Sequence, residues 1–312
     1  MTRWSSISRR QWFPVQQATL LPLVLSLVFS FWVRGEERFR LVPQLSAGQV
    51  LRYDIRGHVQ KHTKTESRAV RNVVPQDIKQ DFSGILQITI KNVGTENGKP
   101  VISAVGEFKY PENKSVDLEA HSKALKRSAE FTIGSTGQLK PGNGLEELTP
   151  LEALAFVSWA SKFAFGWVIP DKLTKPGETW KSEELERTPG PIEKLVWERT
   201  TTLGESSKCP VLESETCTVF LTTADLKQKS SIENSTPEDY KLHDLKTAGS
   251  AKGTNESYES ISKATGLLMR GTEDMHQSME VVIAKTDGTN DVKYEIEATS
   301  HFEMLLVSGS AR

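Results

Sequence analysis

The chain has 312 residues, and its 39 basic and 40 acidic side chains leave a formal net charge of −1 at pH 7. A nucleic-acid-binding domain carries a basic surplus to hold phosphates, so this balance argues against a nucleic-acid partner. The length allows one large or two ordinary domains, and a hydrophobic content of 37% is enough to build a packed core.

Residues 1–35 have the pattern of an export signal. Arg3, Arg9 and Arg10 form a basic segment without acidic residues, and residues 20–33 form an apolar run. Val33 and Gly35 provide the small residues that flank a cleavage site, so we predict cleavage after Gly35. The mature protein is then expected in the periplasm or outside the cell, with no stable transmembrane segment after removal of the signal.

The sequence allows two interpretations of the export route. The Arg9-Arg10 pair, followed by Trp12 and Phe13, resembles a twin-arginine signal, but the rest of that consensus is missing. An ordinary secretory signal that contains two adjacent arginines is therefore favoured. An uncleaved anchor is disfavoured, because the apolar run is short for a membrane span.

The only long helix is predicted after Thr149, between two β-rich halves. Thr149 is a suitable N-cap, Pro150 suits the first helical position, and Glu152 completes a capping box. We therefore predict a linker over 36–47, a first β unit over 48–148, a central helix over 149–170 and a second β unit over 171–312.

The central helix is apolar on nearly all sides, which is typical of a helix that is buried or contacts an apolar partner. It could be a core helix between sheets, a lid over an apolar pocket or a helix at a membrane surface, and we favour the core helix. The lid reading predicts that an apolar ligand contacts Phe156, Trp159, Phe163, Trp167 and Met304.

Alternation of apolar and polar residues predicts strands in both halves, most clearly over 82–91 and 292–307. The predicted fold is mainly β, with two similar antiparallel, curled β-sheet units and one central apolar α-helix. The polar stretches 61–79 and 227–251 are predicted to be loops or irregular edges.

Two landmarks recur 129 residues apart and predict an internal duplication. Gly48 precedes a strand in the first half as Gly177 does in the second half. The segment TGQL at 136–139 likewise corresponds to TGLL at 265–268.

Cys209 and Cys217 are the only cysteines. They are too far apart for a CxxC redox or zinc motif, and two thiols alone make a poor metal site. In an oxidising compartment they are expected to form a disulfide across a tight hairpin.

The segment Pro176-Gly177-Glu178-Thr179-Trp180, the later T-G-x-L hairpin and the long closing strand resemble an uncharacterised exported bacterial β-rich repeat family with a PG-[DE]-[ST]-W element. The resemblance covers most of residues 46–307. It implies an envelope or periplasmic location and no assigned activity. At the level of the fold, a curled sheet over an apolar helix also resembles periplasmic half-barrel carriers of lipids or lipoproteins.

Motifs that carry catalysis are missing from the sequence. No GxSxG, P-loop, GxGxxG or HExxH pattern occurs, and the SxxK match at Ser260–Lys263 lacks its companion motifs. His58 and His62 lie in an extended context, where they would be about 13 Å apart, so no metal site and no cofactor are predicted.

The sequence therefore predicts an exported, non-enzymatic β protein that acts as an interaction or scaffold module. The first alternative is a carrier of an apolar ligand or lipid, with the 149–167 helix as its lid. A hydrolase is the weakest alternative. The expected partners are an apolar small molecule or an envelope protein.

Overall fold

A computed structural model describes residues 41–67, 75–110, 128–170, 175–185, 191–212, 214–228, 236–289 and 291–310. The predicted export signal and its cleavage site after Gly35 lie outside these residues. Residues Arg38–Arg312 belong to one compact unit.

The described residues form one antiparallel sheet of 11 strands, which confirms the prediction of a mainly β fold with a curled sheet. Its spatial order is β5-β4-β3-β2-β1-β11-β10-β9-β8-β7-β6. The strands are β1 (Val50–Ser67), β2 (Gln76–Glu96), β3 (Lys99–Lys109), β4 (Ser128–Ile133), β5 (Leu139–Pro141), β6 (Thr179–Leu185), β7 (Leu195–Lys208), β8 (Thr216–Gln228), β9 (Leu245–Ser262), β10 (Leu268–Lys285) and β11 (Val292–Ser310).

The last strand joins the two halves of the sheet, because β11 pairs with β1 on one side and with β10 on the other. Its side chains alternate as the sequence predicts. Phe302, Met304 and Leu306 are buried, whereas His301 is exposed. This period of two places one face of β11 on the core.

The prediction of loops or irregular edges over 61–79 is wrong for its described part, since β1 continues to Ser67 and β2 already begins at Gln76. Two hydrogen-bonded pairs join directly opposite residues of these strands, His58 with Asp81 at 2.6 Å and His62 with Asp77 at 2.5 Å. Such cross-strand pairs stabilise a part of the sheet that is exposed to solvent on both faces. The sequence shows no alternation of apolar and polar residues there that would predict a strand.

The prediction for 227–251 is also wrong in part. β8 ends at Gln228, a short helix covers Glu238–Leu242, and β9 begins at Leu245. The Lys- and Ser-rich composition of this region hides the start of β9, because most side chains there are at least partly exposed.

The helices are α1 (Pro150–Phe163), α2 (Phe165–Val168) and α3 (Glu238–Leu242), and a 3₁₀ turn covers Leu145–Glu147. The predicted capping box is present at the start of α1. The Thr149 N–H donates to Glu152 Oε2 at 2.7 Å, and the Glu152 N–H donates to Thr149 Oγ1 at 3.2 Å. These bonds satisfy two donors that the first turn of a helix leaves unpaired.

The central helix is shorter than predicted, because α1 ends at Phe163 and a separate turn, α2, follows. Gly166 lies inside α2. A Cβ at this position would lie 2.3 Å from the carbonyl oxygen of Leu41, so only glycine allows this close approach of the two backbones.

The main core lies between α1 and the sheet, and it draws side chains from both β-rich halves. Tyr53 of β1, Phe131 of β4 and Phe302 of β11 are all almost fully buried in it. A second apolar cluster, which includes Leu195, Trp197 and Leu226, lies among the strands of the second half.

Candidate functional site

A group of buried polar side chains lies where α1 meets β9 and β10. We call it the polar cluster, and it consists of Ser158, Lys162, Asn255, Ser257, Glu259 and Glu273. The helix brings Ser158 and Lys162 to one face, because they are four residues apart. The three residues of β9 share a face through their spacing of two, and Glu273 of β10 lies opposite Ser257.

Lys162 is at the centre of the polar cluster. Its Nζ lies 3.3 Å from Glu259 Oε1 and 3.7 Å from Glu273 Oε1, and only 2% of its side chain is exposed. A buried ammonium group is costly unless it is paired and hydrogen-bonded. The two carboxyl groups supply that pairing and link α1 to both β9 and β10.

The carboxyl group of Glu273 is hydrogen-bonded by neighbouring side chains. It accepts hydrogen bonds from Ser158 Oγ at 2.5 Å and from Asn255 Nδ2 at 2.6 Å. Burial alone would raise the pKa of this carboxyl, but the Lys162 ammonium and these hydrogen bonds together hold the pKa below its ordinary value. Glu273 is therefore the anionic partner of Lys162.

Glu259 is in a different situation, although it lies in the same cluster. Its Oε1 accepts from Ser257 Oγ at 2.9 Å, but its buried Oε2 has no hydrogen-bond partner among the described residues. Burial raises the pKa of this carboxyl above its ordinary value, even though Lys162 opposes the shift. The same cluster thus shifts the pKa values of its two carboxyl groups in opposite directions.

A second ion pair joins β6 and β7, which are separated from β9 by β8 in the sheet. Arg199 of β7 lies 2.6 Å from Glu184 of β6, and 19% of each side chain is exposed. Arg199 also lowers the pKa of both cluster carboxyls, although its effect is the smallest of those that act on them.

The polar cluster fixes α1 to the sheet, because Lys162 of the helix pairs with Glu259 of β9 and with Glu273 of β10. Among the described residues, no group of three or more His, Cys, Asp or Glu side chains is arranged to hold a metal ion.

The five predicted ligand contacts lie together in the main core. Each is at most 2% exposed: Phe156, Trp159, Phe163, Trp167 and Met304. Trp159 stacks on Phe163 with ring centroids 4.9 Å apart, and the Trp167 indole N–H donates to the Pro100 carbonyl at 2.7 Å. These side chains contact protein groups, so a ligand-binding role for them stays a prediction.

A pocket of about 440 Å³ lies elsewhere, and we call it the loop pocket. It is lined by residues 44–49, the loop between β7 and β8, the turn between β9 and β10, Met269 of β10 and Leu306 of β11. None of the five predicted ligand contacts lines it. No local pattern of residues predicts this pocket, because segments far apart in the chain form its walls.

The predicted disulfide between Cys209 and Cys217 is confirmed, with an S–S distance of 2.04 Å. Both cysteines are buried, Cys209 directly after the end of β7 and Cys217 at the start of β8. Leu212 and Glu215, two residues of the loop that the disulfide closes, line the loop pocket.

Sequence reasoning missed Glu259 and Glu273 as residues of a site. One signal was present, since a lysine within a helix that is apolar on all sides requires buried counter-ions. The sequence could not identify those counter-ions among the 40 acidic residues, because they lie about 100 residues further along the chain.

No family model matches the chain, and no curated protein matches it. The family resemblance of the P-G-E-T-W element therefore stays a prediction. Within the described residues, no helix has both the length and the hydrophobicity that a membrane crossing requires.

Solved structures align with the chain only loosely. The outer membrane protein OprG from Pseudomonas aeruginosa is 6% identical, with a TM-score of 0.26 over 84% of this chain and 97% of that chain. A protein described as "a putative lipoprotein from Parabacteroides distasonis ATCC 8503" is 11% identical, with a TM-score of 0.28 over 88% and 100% of the two chains. The CymD monoaromatic hydrocarbon channel is 8% identical, with a TM-score of 0.13 over 84% and 89%. At such low TM-scores the alignments carry no argument about this chain.

Proposed function

We propose that the chain is an exported, non-enzymatic protein of the periplasm or cell exterior that acts as an interaction or scaffold module. The observation that carries this proposal is the edge strand β6. Among the described residues it pairs with one strand, β7, and therefore forms one edge of the sheet. An extended segment of another protein can add to such an edge.

The side chains of β6 suit this role. Lys181, Ser182 and Leu185 are exposed, and 62% of Leu185 is accessible to solvent. Trp180 instead packs on Phe220, with ring centroids 6.0 Å apart, and so fixes the strand to the core. An anchored edge with an exposed apolar end offers both backbone hydrogen bonds and a side-chain contact to an incoming strand.

Site-specific photo-crosslinking in the exporting host tests this proposal. A photoreactive residue at Lys181 or Leu185 should give one discrete adduct of the same mass. Lys181→Pro should remove the adduct formed from Leu185, because the alternation of the ladder directs the Lys181 N–H away from β7. Leu221, which is 50% exposed in the middle of the sheet on β8, is the control position. Equal adducts from Leu221, or a Leu185 adduct that survives Lys181→Pro, would count against strand addition.

Export itself is tested by recovery of the mature protein after osmotic shock. Cleavage after Gly35 predicts Glu36 as the new N-terminus. Replacement of Arg9 and Arg10 by lysine should leave export intact for an ordinary secretory signal and stop it for a twin-arginine signal. Retention of the full precursor in the cytoplasm would contradict the proposed location.

The second candidate function is transport of an apolar ligand, with the central helix as lid. The row of rings from Phe156 to Trp167 favours it, because these large apolar side chains share one face of α1 and α2. Mass spectrometry of the extract from detergent-free protein should then reveal a stoichiometric lipid that Trp159→Glu removes. Trp159→Phe serves as the folded control, and an extract without lipid would leave α1 as a core element.

We further propose that the two β-rich halves arose by duplication. Gly48 and Gly177 both have a positive φ, of 81° and 88°. Each donates its N–H across the sheet, to Ile90 and Leu203 respectively, and each partner returns its own N–H to the residue after the glycine. This arrangement is a G1 β-bulge, and it recurs at the first strand of each half.

A further inference from the structure

We propose that the loop pocket binds a small amphiphile with a protonated amine and an apolar body. This site is independent of the edge strand β6 and of the ring row beneath the helix. The inference rests on the shape of the pocket, on its apolar lining and on the sign of its charge.

The walls of the pocket are held in place before any ligand arrives. The Gln44 N–H donates to the Thr265 carbonyl at 2.8 Å, which fixes the first wall to the turn between β9 and β10. The Cys209 N–H donates to the Glu215 carbonyl at 3.0 Å, and the disulfide closes the same loop. A site that is already ordered loses less conformational entropy when a ligand binds.

The size and the lining of the pocket fit a small apolar molecule. Its volume of about 440 Å³ lies within the range of roughly 300–1,000 Å³ that is usual for small-molecule sites. Four long apolar side chains contribute to the lining beyond the first wall: Leu212, Leu267, Met269 and Leu306. Leu306 is only 4% exposed, whereas Leu212 at the rim is 43% exposed, so the pocket opens toward solvent on the side of the disulfide loop.

The charge of the lining selects the head group of the ligand. Glu215 is the one charged side chain among the described residues that line the pocket. Its Oε2 accepts from Ser262 Oγ at 2.5 Å, which orients the carboxyl group. A carboxylate has about four acceptor positions on its two oxygens, so this bond leaves capacity for a donor from the ligand. A protonated amine supplies both the donors and the opposite charge, whereas a fatty acid would place two carboxylates together.

Isothermal titration calorimetry with octylamine, octanol and octanoate tests this inference on the mature, disulfide-bonded protein. Octylamine should bind saturably at one site and about tenfold more tightly than octanol, since a hydrogen bond to a charged group is worth on the order of 1.5 kcal/mol or more. Octanoate should bind most weakly. Absence of saturable octylamine binding, or tighter binding of octanoate, would overturn the inference.

Two variants locate the site. Glu215→Gln should bring the affinities of octylamine and octanol together, because it removes the charge and keeps an acceptor for Ser262. Ala47→Trp, which fills the pocket from an exposed position, should abolish binding of all three probes. Glu205→Gln, an exposed substitution on β7, is the matched control and should behave like the unmodified chain.

The location is refuted if Ala47→Trp binds octylamine normally, and the head-group assignment is refuted if Glu215→Gln keeps the tenfold preference. Circular dichroism and thermal unfolding of each variant establish that it is folded before titration. Neither outcome bears on strand addition at β6, so the two proposals fail separately.

Discussion

The Lys162 ammonium of α1 lies 3.3 Å from the Glu259 carboxyl of β9, and both side chains are only 2% exposed. This contact joins the central helix to the second half of the chain. Glu273 of β10 completes the arrangement from the other side at 3.7 Å. The stability of the packed helix should therefore depend on the charges of this cluster as well as on apolar burial.

Lys162→Met should destabilise the protein by about 3–5 kcal/mol at neutral pH. The substitution removes one partner of a buried ion pair and leaves Glu273 ionised without its counter-ion. Urea denaturation followed by circular dichroism measures the loss. Lys241→Met on α3 is the control, because Lys241 pairs with Glu238 at the exposed surface and its removal should leave the urea midpoint unchanged.

Glu259→Gln should stabilise the protein at neutral pH. The raised pKa of Glu259 means that the folded state holds the proton more tightly than the unfolded chain does. The contribution of Glu259 is thus fully favourable below its unfolded pKa of 4.5 and is lost as the pH rises through the folded pKa. A glutamine mimics the protonated form at every pH, so the variant's advantage should grow above pH 4.5 and then level off.

Urea denaturation at a series of pH values from 4 to 9 measures this profile. Glu256→Gln serves as the control, because Glu256 is exposed and points away from the polar cluster on the same strand. A Glu259→Gln variant that is less stable than the unmodified chain at pH 7 would mean that folding lowers the pKa of Glu259 and does not raise it.

Glu273→Gln should have the opposite effect. The lowered pKa of Glu273 gives the folded state a favourable contribution that is present above pH 4.5 and is lost as the pH falls through the folded pKa. The variant should therefore be less stable than the unmodified chain at neutral pH, and the difference should shrink in acid. The same urea series checks it, and a difference that grows in acid would contradict the assignment of Glu273 as the anion.

Local signals in the sequence were sufficient for much of the fold. The capping box at Thr149 and Glu152 predicted where α1 begins, and the alternation along residues 292–307 predicted both β11 and its buried face. The spacing of Cys209 and Cys217 predicted the disulfide. Each of these features depends on residues close together in the chain, which is why a single sequence suffices.

Features that depend on distant residues could not be predicted. At the exposed ends of β1 and β2, His62 contacts Asp77 across the ladder, although neither residue is part of an apolar alternation. The polar cluster and the loop pocket likewise bring together segments that are about 100 or more residues apart. The sequence contains the side chains, but the register of the sheet decides which of them meet.

The two bulge glycines provide a test of the proposed duplication. Gly48→Ala and Gly177→Ala should each destabilise the protein by about 1–2 kcal/mol, because a Cβ strains a residue in the left-handed region. The strain comes from φ alone, since a Cβ at either position would meet no heavy atom within 4 Å. Thermal and urea unfolding of both variants should give similar losses if the two bulges are equivalent.

Gly94→Ala in β2 is the matched control for both substitutions. Gly94 is exposed, it is not among the positive-φ glycines, and a Cβ there would lie 3.9 Å from the Val101 carbonyl oxygen. Because alanine is more favourable than glycine in a strand, this variant should be neutral or slightly more stable. A large decrease in the free energy of unfolding for one bulge glycine and none for the other would show that the two bulges are not equivalent. That result would remove this support for duplication.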